Sequence, residues 1–363
     1  MLSMEKSTVK TNSVKKKIIV ISATVTATLL MLFLIIPYSV SAIVCSYIFN
    51  RRYSTAEYLR YAVTDFDGLQ ADRYEFKCNK NQTLVGYRYY LTDSEAQGVV
   101  VLSHGLGGGG QNGYMDVAYY FAQNGYDVFA YDATGNDESG GKSVKGLPQG
   151  VIDLHYALDY IKQIDELSGL PVMLWGHSWG GYCVSTVLTR HSEVKAIASV
   201  AGFNCSGDLM ESHGVRYGGE ISKIMMPYVN SVDRIKFGDY AKSTAVDEFK
   251  NSSAGVFIAH SADDDTVPIQ YGYDKYYKIF SDNSRFKFVK FENKGHNDIL
   301  YSKEYIDYMR NFYRAEDEFF GGREPTDSER QDYFSANLDR SIYCDGLDKQ
   351  LFNQIVEFYN SYL

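Results

Sequence analysis

Short apolar runs and longer amphipathic stretches alternate along the middle of the chain. The apolar runs predict strands, and apolar positions spaced by three and four residues predict the helices between them. The stretch 148–166, for example, carries such a stripe, formed by Val151, Leu154, Leu158 and Ile161. The predicted strands are 99–102, 127–131, 171–175, 194–200, 255–259 and 286–291, and further predicted helices are 114–124 and 181–188. This alternation indicates an α/β fold with a mainly parallel sheet covered on both faces, whose ligands bind at the carboxyl ends of its strands.

A hairpin precedes the alternation, and a long insertion interrupts it. Residues 74–78 and 84–91, separated by Asn79-Lys80-Asn81-Gln82, predict an antiparallel hairpin ahead of the parallel strands. Residues 203–251 are too long for a simple crossover and contain an amphipathic stretch between Ile221 and Val232. We interpret this insertion either as a small helical lid over the functional site or as a lengthened pair of surface helices.

The last part of the chain is predicted to be an extension of the main domain, over residues 315–363. It opens with a polar, charged stretch and continues with a helix that has Leu351, Ile355 and Phe358 on one face. A single apolar face needs a partner, so we expect this helix to pack back on the domain.

Near the N-terminus, residues 18–49 contain no charged side chain and exceed the roughly 20 apolar residues that cross a bilayer. Five lysines precede the segment and three arginines follow it, which favours a cytoplasmic tail over 1–17, a transmembrane signal-anchor over 18–49 and an exported catalytic domain. A cleaved signal peptide is the alternative, with Ser39-Val40-Ser41-Ala42 as an imperfect cleavage site, although its apolar core is normally only about 7–15 residues long. Residues 50–72 then form a polar connector, and 73–314 form the main domain.

Composition narrows the class of protein. The 363 residues carry a formal net charge of −9, with no basic stripe that could meet phosphates, so a nucleic-acid partner is not expected. The five cysteines have neither metal-ligand spacing nor a paired pattern, and nothing implies a metal or an organic cofactor. Aromatic residues make up 15% of the chain, mostly tyrosine, and the sequence does not assign this excess to any one function.

The candidate chemistry centres on Gly176-His177-Ser178-Trp179-Gly180, a G-x-S-x-G pattern between predicted strand 171–175 and predicted helix 181–188. A strand that turns abruptly into a helix forces the central serine into a strained, exposed conformation. The glycines leave room for the neighbouring elements, and the helix directs its N-terminal amides toward the reacting centre. We therefore predict that Ser178 is a nucleophile and that the amide of Trp179 is one donor of an oxyanion hole.

A serine hydroxyl needs a base to take its proton and an acid to orient that base. His296 follows the last predicted strand, and Asp263, Asp264 and Asp265 follow strand 255–259, which gives the order Ser, Asp, His. From the residues alone the three carboxylates are nearly equal candidates, with the middle one slightly favoured.

These motifs resemble those of the α/β-hydrolase family, in particular its serine esterase, lipase and aminopeptidase-like members, over roughly residues 74–314. The resemblance implies an α/β-hydrolase fold with a small helical lid, here joined to an N-terminal transmembrane helix. The family's D-x-x-V-P turn selects Asp264 as the acid, and its H-G-x turn places the second oxyanion amide at Leu106 in Ser103-His104-Gly105-Leu106. Asp132 and Ser139 match a family turn that is structural.

Other conspicuous residues have simpler interpretations. His177, His260 and His104 are predicted to be structural, and the glycine run 107–110 is either a close approach of backbone to substrate or a flexible loop. The stretch Gly140-Gly141-Lys142-Ser143 lacks the full spacing and the preceding strand of a phosphate-binding loop.

The sequence thus predicts a membrane-anchored serine hydrolase that cleaves carboxylic esters through an acyl-enzyme, with Ser178, His296 and Asp264 as its triad. Its expected partners are a small-molecule or lipid-like acyl substrate and a membrane. Three alternatives stay open: a serine peptidase acting on short peptides, an acyltransferase, and a surface protein that binds a partner with an idle triad. Oligomeric state, acyl length and acceptor are not indicated.

Overall fold

A computed structural model describes residues 2–92 and 95–363. The apolar segment near the N-terminus is helical throughout, since α1 (Leu2–Leu30), a π-helical turn (Met31–Ile35) and α2 (Ile36–Phe49) follow one another directly. Within it, the 36 residues Val14–Phe49 are long and apolar enough to cross a membrane, by length and composition only. The side chains of residues 14–36 are exposed, whereas Ser41, Cys45 and Phe49 are buried. Because these three are spaced by four, one face of α2 packs against the domain.

Within the described residues, eight strands form a single sheet. They are β1 (Leu69–Lys77), β2 (Thr83–Leu91), β3 (Gly98–Ser103), β4 (Tyr126–Asp132), β5 (Val172–His177), β6 (Val194–Val200), β7 (Gly255–Ser261) and β8 (Phe286–Phe291), in the spatial order β1-β2-β4-β3-β5-β6-β7-β8. β2 pairs antiparallel with β1 and with β4, and all the pairs from β4 to β8 are parallel. The predicted mainly parallel sheet and the predicted hairpin are both confirmed, although β1 begins at Leu69 rather than Tyr74.

Helices cover both faces of the sheet. They are α3 (Met115–Gln123), α4 (Leu147–Ile161), α5 (Trp179–Thr186), α6 (Ser206–Gly218), α7 (Met226–Phe237), α8 (Ala245–Asn251), α9 (Tyr273–Phe280), α10 (Lys303–Phe319), α11 (Asp327–Asn337), α12 (Arg340–Cys344) and α13 (Lys349–Asn360). α4, α5, α8 and α9 share one buried cluster, and α3, α10, α11 and α13 share the other. In β3, Val99 and Val101 belong to the first cluster and Val100 and Leu102 to the second, as the two-residue period of a strand requires.

The long insertion contains three helices with two different environments. α6 and α7, joined by a 3-10 segment (Glu220–Met225), have few buried side chains. α8 instead buries Ala245, Glu248 and Phe249 and packs against α5. Only α6 and α7 are therefore placed to act as a lid, because α8 belongs to the core.

The C-terminal part of the chain is helical, including the stretch that composition alone marks as polar. α11 begins with a capping box in which Thr326 and Glu329 satisfy each other's backbone amides. α13 buries Leu351, Ile355 and Tyr359, and the Tyr359 hydroxyl donates to the carbonyl of Leu174 in β5 over 2.6 Å. α13 thus covers the middle of the sheet, while Phe358 is only partly buried.

This packing makes a stability prediction. Ile355→Ala should lower the free energy of unfolding by about 2–5 kcal/mol, because it removes a fully buried side chain from a close-packed cluster. Glu357→Ala, at an exposed position of the same helix, should change it by less than about 0.5 kcal/mol. Urea unfolding of the full chain in detergent micelles measures both. Equal effects of the two substitutions would contradict the assignment of α13 to the core.

Candidate active site

The serine of the G-x-S-x-G pattern occupies a strained turn between β5 and α5. Ser178 has φ 56° and ψ −113°, a conformation that non-glycine residues rarely adopt. The flanking glycines make the turn sterically possible. A Cβ atom at Gly180 would lie 1.8 Å from the carbonyl oxygen of Ser103, and one at Gly176 would lie 2.3 Å from the backbone of Gly180. The turn therefore holds the Ser178 hydroxyl at the N-terminus of α5, above the carboxyl ends of the strands.

Ser178, His296 and Asp264 lie in a continuous hydrogen-bonded row. The Ser178 Oγ is 2.8 Å from His296 Nε2, and His296 Nδ1 is 2.7 Å from Asp264 Oδ2. Their loops follow β5, β8 and β7, and parallel strands bring these carboxyl ends to one edge of the sheet. The structure thus brings together the three side chains that the sequence analysis selects.

The buried Asp264 carboxylate is held by donors on both oxygens. Oδ1 accepts from the amides of Thr266 (2.9 Å) and Val267 (2.8 Å), and Oδ2 lies 3.2 Å from His260 Nε2 as well as against His296. Burial by itself would raise the pKa of Asp264, but the hydrogen bonds from His260, His296 and Val267 outweigh burial and hold this pKa well below its usual range. Asp264 is therefore an ionised acceptor for His296 Nδ1–H at neutral pH.

The two neighbouring carboxylates are placed differently. Asp263 Oδ1 accepts from the Ser261 hydroxyl (2.5 Å) and from the amide of Gly295 (2.8 Å), so it braces the loop that carries His296. Asp265 is exposed and pairs with Arg216 on α6. Of the three aspartates that the residue pattern alone leaves nearly equal as candidates, Asp264 is the one whose side chain bonds to His296.

Leu106 and Trp179 line the cavity, and the amide of neither residue donates to an acceptor among the described residues. The glycines that follow Leu106 lie in two different environments. A Cβ at Gly109 would lie 2.3 Å from Thr55, and one at Gly110 would lie 1.9 Å from Asp132 Oδ1, whereas Gly107 and Gly108 have open space around them. The far end of the loop is consequently fixed and only its near end is free to approach a ligand.

Two buried carboxylates at the end of β4 and in the turn after it, Asp132 and Asp137, hold the far end of the glycine run in place. Asp132 Oδ1 accepts from Gln111 N (2.8 Å), and Asp137 Oδ2 accepts from Gly110 N (2.9 Å). Burial raises the pKa of Asp132 to about 7, against the lowering effect of its bonds to backbone amides. These contacts agree with the structural interpretation of Asp132.

His177, the variable residue of the pattern, links the two sides of the site. Gly105 N donates to Tyr114 Oη (3.1 Å), which lies 2.9 Å from His177 Nδ1, and His177 Nε2 lies 3.0 Å from the carbonyl of His296. One set of protons satisfies the row: Tyr114 donates to Nδ1, and Nε2–H donates to His296 O. The loop that begins at Gly105 and the loop of His296 are thereby tied together through Tyr114. The sequence pattern does not single out Tyr114, because it lies at the start of an ordinary predicted helix.

The other predicted structural histidines are buried near the strand ends. His104 accepts from Ala133 N at Nε2 (2.9 Å) and lies 2.7 Å from the Gly105 carbonyl at Nδ1, and burial lowers its pKa. His260 Nε2 lies 2.9 Å from the Val267 carbonyl and supports the turn 263–267, which carries Asp264. Both histidines position loops that carry the site.

A second cluster of ionisable groups lies away from the cavity. His155, Asp159 and His191 each bring one potential metal-ligand atom within 4.8 Å of the others. Histidine ring nitrogens also have hydrogen-bond partners without an ion, since His155 Nδ1 is 2.7 Å from His191 Nε2 and His191 Nδ1 is 2.9 Å from Glu193. Lys162 bridges Asp159 and Glu193, so the carboxylates already have a cation.

A cavity of about 920 Å³ opens above Ser178. Its wall includes parts of the chain that are remote in sequence: the connector after α2, α6 of the insertion, α10 and the C-terminal extension. Many of these side chains are tyrosines, namely Tyr53, Tyr114, Tyr301, Tyr305, Tyr313 and Tyr343. Part of the tyrosine excess thus lines the site, which no local sequence signal indicates because the contributing segments meet only in the fold.

The start of the insertion closes one side of the cavity. Leu209 and His213 of α6 line it, and His213 Nε2 lies 3.1 Å from the carbonyl of Thr266 in the acid turn. Arg216, one turn further, donates to the carbonyl of Asp265 over 2.6 Å. α6 is therefore bonded directly to the turn that holds Asp264, which favours the lid interpretation of the insertion.

Comparisons with known proteins agree with this architecture. Residues 94–229 match the hydrolase family described as serine aminopeptidase S33. The chain is 27% identical over 137 residues to the quorum-quenching protein AidA of Acinetobacter baumannii (strain MDR-ZJ06), and 26% identical over 142 residues to a monoglyceride lipase of Saccharomyces cerevisiae. These matches cover 37% and 35% of this chain, and they span less than half of each relative, 43% and 42%.

Solved structures show the same fold at low identity. An esterase of Pyrococcus furiosus aligns with a TM-score of 0.53 at 14% identity, over 80% of this chain and 98% of its own. An acetyl xylan esterase from Paenibacillus sp. R4 aligns with a TM-score of 0.51 at 16% identity, over 69% and 84%. The chain therefore has the α/β-hydrolase fold. Its middle part is similar to the serine aminopeptidase S33 family.

The environment of His177 makes a prediction about pH. Burial, with a smaller contribution from His296, lowers the pKa of His177 to about 3, whereas an unfolded histidine titrates near 6.5. The stability that this residue contributes is therefore present above pH 6.5 and is lost as the pH falls toward 3. Relative to His177→Gln, whose amide can still donate to His296 O, the wild-type free energy of unfolding should fall by about 1.4 kcal/mol per pH unit below pH 6.

Urea unfolding of the two proteins at pH 8, 7, 6 and 5 measures this difference. Between pH 8 and pH 7 the difference should stay constant, which serves as the internal control. A difference that stays constant down to pH 5 would show that His177 gains a proton in the folded state.

Proposed function

We propose that this protein is a serine hydrolase that cleaves carboxylic esters through an acyl-enzyme intermediate, and that its N-terminal helix anchors it in a membrane. The observation that carries the proposal is the row of hydrogen bonds from Ser178 Oγ to His296 Nε2 (2.8 Å) and from His296 Nδ1 to Asp264 (2.7 Å). The row begins at the strained turn of Ser178, and Leu106 and Trp179 line the same cavity as Ser178 and His296. In this proposal Ser178 is the nucleophile, His296 the base, Asp264 the orienting acid, and the amides of Leu106 and Trp179 the oxyanion donors.

The reaction has two balanced halves. Ser178 Oγ attacks the acyl carbon while His296 Nε2 takes its proton, and the amides of Leu106 and Trp179 stabilise the oxyanion. The resulting imidazolium, held by Asp264, returns the proton to the leaving alcohol as the C–O bond breaks. Water then attacks the acyl-enzyme and gives its proton to His296, and Ser178 recovers the proton as the acid departs.

The relatives favour an ester over other acyl substrates. One curated relative is a monoglyceride lipase, and the solved structures with a similar fold include esterases. The alternatives share the same acyl-enzyme. An acyltransferase would replace water by an acceptor alcohol, and a binding protein would retain the triad unused.

A specific observation keeps a peptidase as the second candidate, because the matched family is described as a serine aminopeptidase. An aminopeptidase must hold the substrate's ammonium group, and among the described residues Asp298 is the one carboxylate that lines the cavity. If the physiological substrate is a peptide, Asp298→Asn should raise KM for aminoacyl amides and leave hydrolysis of neutral esters unchanged.

The triad can be tested against a matched neighbour. Ser178→Ala should reduce hydrolysis of p-nitrophenyl butyrate to background, and Asp264→Asn should lower kcat by about 10⁴-fold, because the imidazole loses its orienting acceptor. Asp265→Asn, at the next residue of the same turn, should stay within about twofold of the wild type, since Asp265 is exposed and makes no contact with His296. Steady-state kinetics of the full chain in detergent supply the three values.

Covalent labelling separates an enzyme from an idle binding protein. A fluorophosphonate probe should modify Ser178 in the folded wild type and leave Ser178→Ala unlabelled. Absence of labelling in folded wild-type protein would favour the idle triad, and unchanged turnover in Ser178→Ala would remove Ser178 from the mechanism.

The membrane part of the proposal rests on the helix Val14–Phe49 and its flanking charges. The exposed, uncharged side chains of residues 18–36 suit a lipid environment. Cleavage after Ala42 would remove Phe33, whose carbonyl accepts from Tyr228 of α7 over 2.5 Å, and this contact supports an uncleaved anchor. The lysines before the segment favour an extracytoplasmic catalytic domain.

The proposed topology predicts the outcome of proteolysis. In cells whose cytoplasmic membrane is intact but whose outer layers admit protease, the added protease should degrade the domain and spare a cytoplasmic control protein. Replacing Lys15, Lys16 and Lys17 by Asn should increase the protected fraction, because it removes the positive charges that retain the N-terminus inside. Full protection of the wild-type domain would reverse the topology, and release of the protein by carbonate would exclude the anchor.

A further inference from the structure

The tip of the insertion exposes apolar side chains that no step of the reaction uses. This tip consists of residues 217–225, the end of α6 and the 3-10 segment before α7. Tyr217, Ile221 and Ile224 are 80%, 73% and 67% exposed. The two isoleucines are three residues apart, so they lie on the same side of a 3-10 segment. Lys223 pairs with Glu220, which leaves the tip apolar with neutralised charges.

The tip is adjacent to the N-terminal apolar helix because α7 packs against α2. Pro37 has no amide proton for the carbonyl of Phe33, four residues before it, and the Tyr228 hydroxyl donates to that carbonyl over 2.5 Å. At the other end, Cys45 of α2 lies close to Lys236, near the end of α7. α2 and α7 therefore run in the same direction, and the start of α7 lies at the level of Phe33.

Helix length places this level relative to a bilayer. The 20 residues from Ile18 to Pro37 span about 30 Å at 1.5 Å per residue, which matches the hydrocarbon core. Lys15, Lys16 and Lys17 border one end of this stretch and the domain borders the other. Phe33 and Tyr228 then lie about one turn inside the domain-side boundary, where tyrosine is favoured. The tip precedes Tyr228 directly in the chain and lies at the same boundary.

We infer that the tip of the insertion is immersed in the same bilayer that its own apolar helix crosses, with Ile221 and Ile224 among the lipids. This inference rests on the membrane part of the proposed function and deepens its account of the substrate. α6 runs from the tip back to Leu209 and His213 in the cavity wall, a distance of about 12 Å from Tyr217 to Leu209. A cavity mouth so close to lipid takes its ester from the membrane, so the substrate class is a membrane-resident ester with an alkyl chain.

Fluorescence quenching tests the immersion directly. The two native tryptophans, Trp175 and Trp179, are fully buried, so a tryptophan introduced at the surface reports its own surroundings. The full chain carrying Ile221→Trp is reconstituted in phosphatidylcholine vesicles with or without bromine on the acyl chains. Immersion by about 5–10 Å should reduce the added fluorescence by about half in the brominated vesicles.

Ile279→Trp is the matched control. Ile279 is 46% exposed near the end of α9, which runs back from the site, so it lies toward the opposite edge of the sheet. Its added fluorescence should be unaffected by bromine. Equal quenching at the two positions, or none at 221 in protein that floats with the vesicles, would overturn the inference.

Activity provides a second, independent readout. The pair Ile221→Asp and Ile224→Asp should lower hydrolysis of a long-chain monoacylglycerol in vesicles by about tenfold, because charges oppose entry into lipid, while turnover of soluble p-nitrophenyl butyrate stays unchanged. Equal turnover of the vesicle substrate by the wild type and the pair would contradict the proposed access from lipid.

Failure of the protein to float with vesicles would remove the anchor and this inference together. Quenching at 221 in a protein that hydrolyses no ester would sustain the inference and refute the hydrolase proposal alone.

Discussion

The backbone turn at Ser178 is the constraint on which the rest of the site depends. Its positive φ is tolerated because Gly180 brings α5 against the end of β3, where any Cβ would collide with the Ser103 carbonyl. The same close approach sets the loop of Leu106 beside the first amide of α5. One steric fit thus positions Ser178 together with Leu106 and Trp179, and the strain at Ser178 is sustained by the packing of a buried parallel sheet.

A buried hydrogen-bond network holds the other loops to this turn. Asp264 is fixed by two backbone amides and by His260, while Asp263 braces Gly295 beside His296. His177 and Tyr114 close the network across the site. Because such groups are costly to leave unpaired in a low-dielectric interior, the network favours a single arrangement of the four loops. Precise positioning is the property that a proton relay between serine, histidine and carboxylate requires.

The outer walls of the cavity connect this chemistry to the apolar helix. Thr55, in the connector, bonds to Asp137 through both its amide and its hydroxyl, and Asp137 also accepts from the amide of Gly110. On the other side, α7 packs on α2 while α6 bonds to the turn that carries Asp264. The helix that we propose as the anchor is therefore connected to the site on two sides.

The sequence by itself determined what depends on local patterns: the strand–helix alternation, the hairpin, the apolar helix, and the order along the chain of Ser178, the aspartate run 263–265 and His296. Periodicity and turn chemistry act over a few residues, so one sequence contains them. Only the tertiary structure decided which aspartate of the 263–265 run faces His296, that α8 belongs to the core, and that Tyr114 and Tyr343 reach the cavity. These outcomes depend on side-chain direction and on contacts between distant segments, which exist only once the sheet has brought its strand ends together.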